Sequence, residues 1–117
     1  MVAWMSAADL SADAGRCWLD LGDPTRADAA IGGGLTELDP RRAHTKAVFL
    51  TYRAESALRR KDAQAAAADA RTALDTALGS GARRCIELIS ALIRCWGALT
   101  EPSLVELREY AHERLAG

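Results

Sequence analysis

The chain has 117 residues, half of them apolar but only 5% aromatic, and a net charge of −1 from 15 basic and 16 acidic side chains. That length fits one domain with a modest core. The charge balance lacks the basic surplus of a DNA- or RNA-binding domain, so direct nucleic-acid binding by this chain is not expected.

Alanine supplies much of the apolar content, β-branched residues are scarce, and no segment alternates apolar and polar over strand length. The expected class is all-α. The three cysteines, Cys17, Cys85 and Cys95, are odd in number and show neither C-x-x-C nor Cys/His spacing. Neither a disulfide framework nor a metal site is expected from them, and no cofactor motif is present. Each lies on or beside an apolar helical face, where free cysteine acts as a small hydrophobe. The N-terminus MVAWMSAADL lacks a basic n-region and a long apolar run, unlike a signal peptide. No segment approaches the roughly 20 apolar residues of a membrane span. The expected setting is cytoplasmic and reduced. A net charge near zero also removes long-range repulsion and favours self-association.

In chain order, Trp4 stands alone near the start. Either a segment upstream covers it or it caps the open end of the first helix pair. A first helix is predicted over about 5–21, with Leu10, Ala14, Cys17, Trp18 and Leu21 on one face. Gly22-Asp23-Pro24 stops it. Gly22 suits the left-handed C-cap, Asp23 the next N-cap and Pro24 the first helical position. A second helix follows over about 25–39, with Ala27, Ala30, Ile31, Gly34, Leu35 and Leu38 inward. Gly32-Gly33-Gly34 weakens it, yet Leu35 and Leu38 keep the helical spacing of Ile31. A continuous, locally soft helix is therefore expected in preference to a hinge.

A third helix is predicted over about 41–60, with Ala47, Leu50, Ala54, Ala57 and Leu58 on one face. A fourth runs over about 62–78, with Asp62 as N-cap and Ala66, Ala70, Ala73, Leu74, Ala77 and Leu78 inward. Gly79-Ser80-Gly81 is expected to end it. A fifth, over about 82–99, carries Cys85, Leu88, Ile89, Leu92, Ile93, Cys95, Trp96 and Leu99, and is apolar around much of its girth. Such a helix is central or covered by a partner. A sixth is predicted over about 103–115, with Leu104, Leu107, Ala111 and Leu115 inward.

Gly15, Trp18, Gly22, Ala27, Ile31, Gly34 and Pro40 fall in the order of the small and large slots of the tetratricopeptide repeat (TPR), with the proline one residue late. The chain resembles that family, whose unit is two antiparallel helices in about 34 residues. In a second unit Lys61 takes the place of the turn glycine, 39 residues after Gly22, and Ala66, Ala70 and Ala73 form the small-large-small trio. The third pair does not fit the motif, as suits a capping repeat. The resemblance implies a TPR-like right-handed stack of three antiparallel helix pairs. The repeats cover about 5–40 and 41–79, with a degenerate pair over about 82–116.

The runs AADLSADAGRCWLDLGDPTRA, AVFLTYRAESAL and QAAAADARTALDTAL also resemble the C-terminal helical-repeat region of actinobacterial helix-turn-helix transcriptional regulators. That resemblance implies protein contact, self-association or ligand sensing. The 117 residues hold no DNA-binding domain of their own. The chain is then expected to be an excised effector region or a short relative without its reader.

No catalytic constellation is visible. His44 and His112 sit at surface positions, Asp9 and Asp13 are ordinary i,i+4 carboxylates, and the glycine run lacks the lysine and hydroxyl of a phosphate loop. A non-catalytic interaction module is expected. The family's concave-face slots fall on Asp9, Ala12, Asp13, Arg16, Leu19 and Asp20, then on Val48, Thr51, Tyr52, Glu55, Leu58 and Arg59. This set lacks the cationic cluster by which some TPRs hold a carboxylate terminus, and suits a peptide with basic and apolar side chains better. An ordinary solvated face remains the plain alternative. Two other functions stay open. One is homodimerisation through Ile93 and Trp96. The other is a small-molecule pocket between Trp18, Tyr52 and Trp96.

Overall fold

The computed structural model describes residues 7–37 and 42–116, with side chains described from residue 14 onward except at 37, 43 and 44. The described residues form six helices and no strand: α1 (Ala7–Asp20), α2 (Pro24–Glu37), α3 (Ala43–Arg59), α4 (Ala63–Ser80), α5 (Arg83–Cys95) and α6 (Pro102–Ala116). None is long and apolar enough to cross a membrane. Trp4 and the expected helix residues 5–6 and 38–41 lie outside the described residues.

Three of the helices close in the same way. After α1, Gly22 adopts φ 81°, the Asp23 amide donates to the Trp18 carbonyl and the Gly22 amide to Leu19. After α3, Lys61 adopts φ 63°, with Asp62 donating to Ala57 and Lys61 to Leu58. After α4, Gly81 adopts φ 69°, with Ala82 donating to Ala77 and Gly81 to Leu78. This 6→1 and 5→2 pattern satisfies the last helical carbonyls and requires a left-handed residue. Lys61 is the one non-glycine residue described with positive φ. Its Cβ meets the following carbonyl, which costs about 1–2 kcal/mol. Lys61→Gly relieves that strain, less the extra entropy of glycine in the unfolded chain. A gain of about 0.5 kcal/mol is expected, read as a rise of about 3 °C in melting temperature.

The N-termini are capped as their residues suggest. Asp23 accepts from the Arg26 amide at 3.1 Å and Asp62 from the Ala65 amide at 3.1 Å. Two predicted ends move. Helix α4 continues through Gly79 and Ser80, because Gly81 alone takes the left-handed turn. Helix α5 stops at Cys95 instead of running to Leu99. There the Arg108 guanidinium donates to the carbonyls of Trp96, at 3.0 Å, and Leu99, at 2.9 Å. These carbonyls are satisfied from α6, so the helical ladder is not needed there. Through Gly32–Gly34 helix α2 is unbroken, and a Cβ on Gly32 or Gly33 would point into open space.

Each helix touches the next, and α3 also reaches α1, α5 reaches α3, and α6 reaches α4. The main core joins α3 to α6. Its central strip is Ala66, Ala70 and Ala73 of α4, all 0% exposed. Side chains this small let helix backbones approach closely, and Leu74, Ile89 and Leu104 fill the remaining space. Ile31 and Phe49 form a second cluster with Leu35 and Tyr52, joining α2 to α3. Ser56, fully buried, donates to the Pro24 carbonyl at 2.6 Å.

Arg53 of α3 holds Asp69 of α4 with two hydrogen bonds of 2.9 Å. Those bonds, outweighing burial, raise the Arg53 pKa above its ordinary value, with Asp28 adding to the effect. The Asp69 side chain is 15% exposed, so removing its partner strands a largely desolvated carboxylate. Arg53→Ala is expected to cost about 2 kcal/mol in urea unfolding. Asp69→Ala, which leaves only the more exposed guanidinium, should cost less.

Candidate functional site

Helices α1, α3 and α5 line a common groove of about 210 Å³. Its charged wall is a chain of ion pairs. Arg16 of α1 donates to Glu55 of α3 at 2.9 Å and lies 3.4 Å from Asp20. Arg59 lies 3.8 Å from the same Glu55 oxygen, and its other terminal nitrogen donates to the Leu19 carbonyl at 2.6 Å. The Arg16 guanidinium also stands over the Tyr52 ring, 5.7 Å from its centroid. Two cations and two anions thus compensate one another. The network ties the end of α1 to the side of α3.

The opposite wall is apolar and comes from α5: Leu88, Ala91, Leu92 and Cys95. These residues stand at offsets 0, 3, 4 and 7, one helical face. Ile89, Ile93 and Trp96, at offsets 0, 4 and 7 on the adjoining face, are buried in the core. The all-round apolar character of this helix therefore divides into two faces with different duties. Leu88 is 41% exposed at the groove.

Of the concave-face residues read from the sequence, Arg16, Asp20, Tyr52, Glu55 and Arg59 come together in this network. Thr51 borders the groove but is 5% exposed, and its hydroxyl turns inward to the Ala47 carbonyl at 2.8 Å. It is a helix-satisfied core threonine, not a surface contact. Leu19 is likewise core, at 1% exposure. The side chains of Asp9, Ala12, Asp13 and His44 lie outside those described.

Ile93 and Trp96 are the residues expected at an oligomer contact. They are 4% and 5% exposed, packed in the chain's own core beside the α4 alanines and Leu104. The three aromatics expected around one pocket have separate settings. Trp18 lies under the Arg26 guanidinium at 4.8 Å, Tyr52 faces the groove, and Trp96 is core.

The α5 wall was the part missed by sequence reading. Its signal was present in the 0, 3, 4, 7 spacing of Leu88, Ala91, Leu92 and Cys95. That spacing does not say which of two apolar faces the neighbouring helices cover. Among the described residues, no group of three or more His, Cys, Asp or Glu is placed to hold a metal ion. Comparison with known protein families, with curated proteins and with solved structures finds no match to this chain.

Proposed function

We propose that the chain is a non-catalytic protein-interaction module of TPR-like build, serving as the effector or sensing region of a transcriptional regulator. The observation that carries this reading is the composition of the groove. It draws on α1, α3 and α5 alone, the first, third and fifth of the six helices. In a right-handed stack of antiparallel pairs those helices form the concave, partner-binding face. The link to transcription rests on the sequence resemblance.

The groove chemistry defines the partner. Arg16, Glu55 and Arg59 are engaged with one another, so they orient a ligand more than they attract one. Leu88 and Leu92 offer an apolar seat, and Asp20, outside the groove lining and 3.4 Å from Arg16, keeps a 63% exposed side chain that a basic group can approach. A peptide with large apolar anchors and a flanking basic residue fits this wall pair.

The experiment selects peptides from a displayed random library against the intact chain, then measures their affinity for Leu88→Asp and Arg16→Glu. Selected peptides should bind from the micromolar range and lose at least about tenfold in affinity for Leu88→Asp. Undiminished affinity for both variants would remove the groove from the proposal. Light scattering coupled to size exclusion adds one further outcome. A dimer that Leu88→Asp dissociates would make a second copy the occupant.

A further inference from the structure

A second cleft, of about 230 Å³, lies between α5 and α6, and the proposed interaction function does not use it. Its floor is apolar, from Ile93, Ala111 and Leu115, and Leu115 is 45% exposed there. Its polar rim holds Arg94, Arg108 and His112, with no carboxylate in the lining. For a chain of net charge −1 this is a local excess of cationic groups. Arg108 spends one terminal nitrogen on the neutral carbonyls of Trp96 and Leu99, and among the described residues no ion pair compensates its charge. Among the described residues Arg94 makes no ion pair, and Glu109 and Glu113 are exposed on α6 outside the lining.

The cleft also contains an unexplained polar atom. Ser90 Oγ is buried without a hydrogen-bond partner among the described residues, and Ser90 borders the cleft. Buried hydroxyls are nearly always satisfied, by protein, water or ligand. A serine has three staggered positions about Cα–Cβ, so a change of rotamer re-aims this donor.

We infer that the α5–α6 cleft binds a small monocarboxylate with a short apolar body. The carboxylate sits between Arg94 and Arg108 and accepts a hydrogen bond from the re-aimed Ser90 hydroxyl. The hydrocarbon body lies on Ile93, Ala111 and Leu115. A carboxylate fits better than a free phosphate, because this floor provides no partners for further charged oxygens.

Hexanoate is the probe, with hexanamide and inorganic phosphate as controls, followed through backbone amide shifts of the intact chain. Hexanoate should produce saturable shifts at Ser90, Arg94, Ala111 and His112. Hexanamide should bind about tenfold more weakly, since it keeps the shape and loses the charge-assisted bonds. Arg94→Gln, at an exposed position, should weaken hexanoate by about the same factor. Ser90→Ala should weaken hexanoate and raise the melting temperature of the free chain, because the orphaned oxygen is gone. Equal affinity for hexanamide, equal affinity for phosphate, shifts centred on Tyr52 and Leu88, or no saturation would each overturn the assignment.

Discussion

Trp96→Ala should destabilise the chain by about 4 kcal/mol without altering its state of association. Trp96 is 5% exposed and packs with Ile89, Ile93 and Leu104 over the alanine strip of α4. It also ends α5, where its amide donates to Ile93 and its carbonyl accepts from Arg108. Truncation removes a large apolar surface and leaves a cavity that stiff neighbouring helices fill only in part. A domain of this size has about 5–15 kcal/mol of total stability, so the loss is a large share. Urea unfolding measures the loss, and light scattering across protein concentrations measures association. A variant of undiminished stability but altered association would put Trp96 back at an interface. Leu88→Asp should have little effect on stability, because Leu88 is already 41% exposed.

Gly15→Val should cost about 3 kcal/mol. A Cβ at Gly15 would clash with Ile31 Cγ1 and stand 3.2 Å from the Ala27 carbonyl oxygen. Ile31 is fully buried against Phe49, so it has no open side to move toward. Adding an isopropyl group forces α1 away from α2. Gly15→Ala should cost less, about 1–2 kcal/mol, because better helix propensity offsets part of the clash. The same change at Gly32 or Gly33 should have the opposite sign. There a Cβ meets nothing within 4 Å and the helix is continuous, so about 0.8 kcal/mol should be gained at each. Thermal unfolding of the three alanine variants tests both signs together. A gain at Gly15 would mean that α1 and α2 are less closely packed than described.

These glycines show how far the sequence alone reached. The sequence placed Gly15 only in a slot of the repeat that the chain resembles, and its close approach to Ile31 appears in the packed structure. The six helices were legible. Their apolar residues recur at helical spacing, and Asp23, Pro24, Asp62 and Gly81 mark boundaries by local backbone chemistry. Such signals act within a few residues and need no tertiary partner. For Arg16, Tyr52, Glu55 and Arg59 the expectation came from the resemblance to the repeat, and their mutual contacts are seen only in the packed structure.

Other features required the packed structure. Just beyond Cys95, where α5 stops, Arg108 satisfies the carbonyl of Trp96, 12 residues before it, a bond with no local signature. Arg53 finds Asp69, and Ser56 finds Pro24, across helices whose relative position is set only when the core closes. Above all, α5 has two apolar faces of similar composition. Ile89, Ile93 and Trp96 became core while Leu88, Leu92 and Cys95 became groove wall. Periodicity identifies a helix and the residues that share each of its faces. Which face loses its water is decided by the neighbours that pack against it, and here those neighbours are α4 and α6.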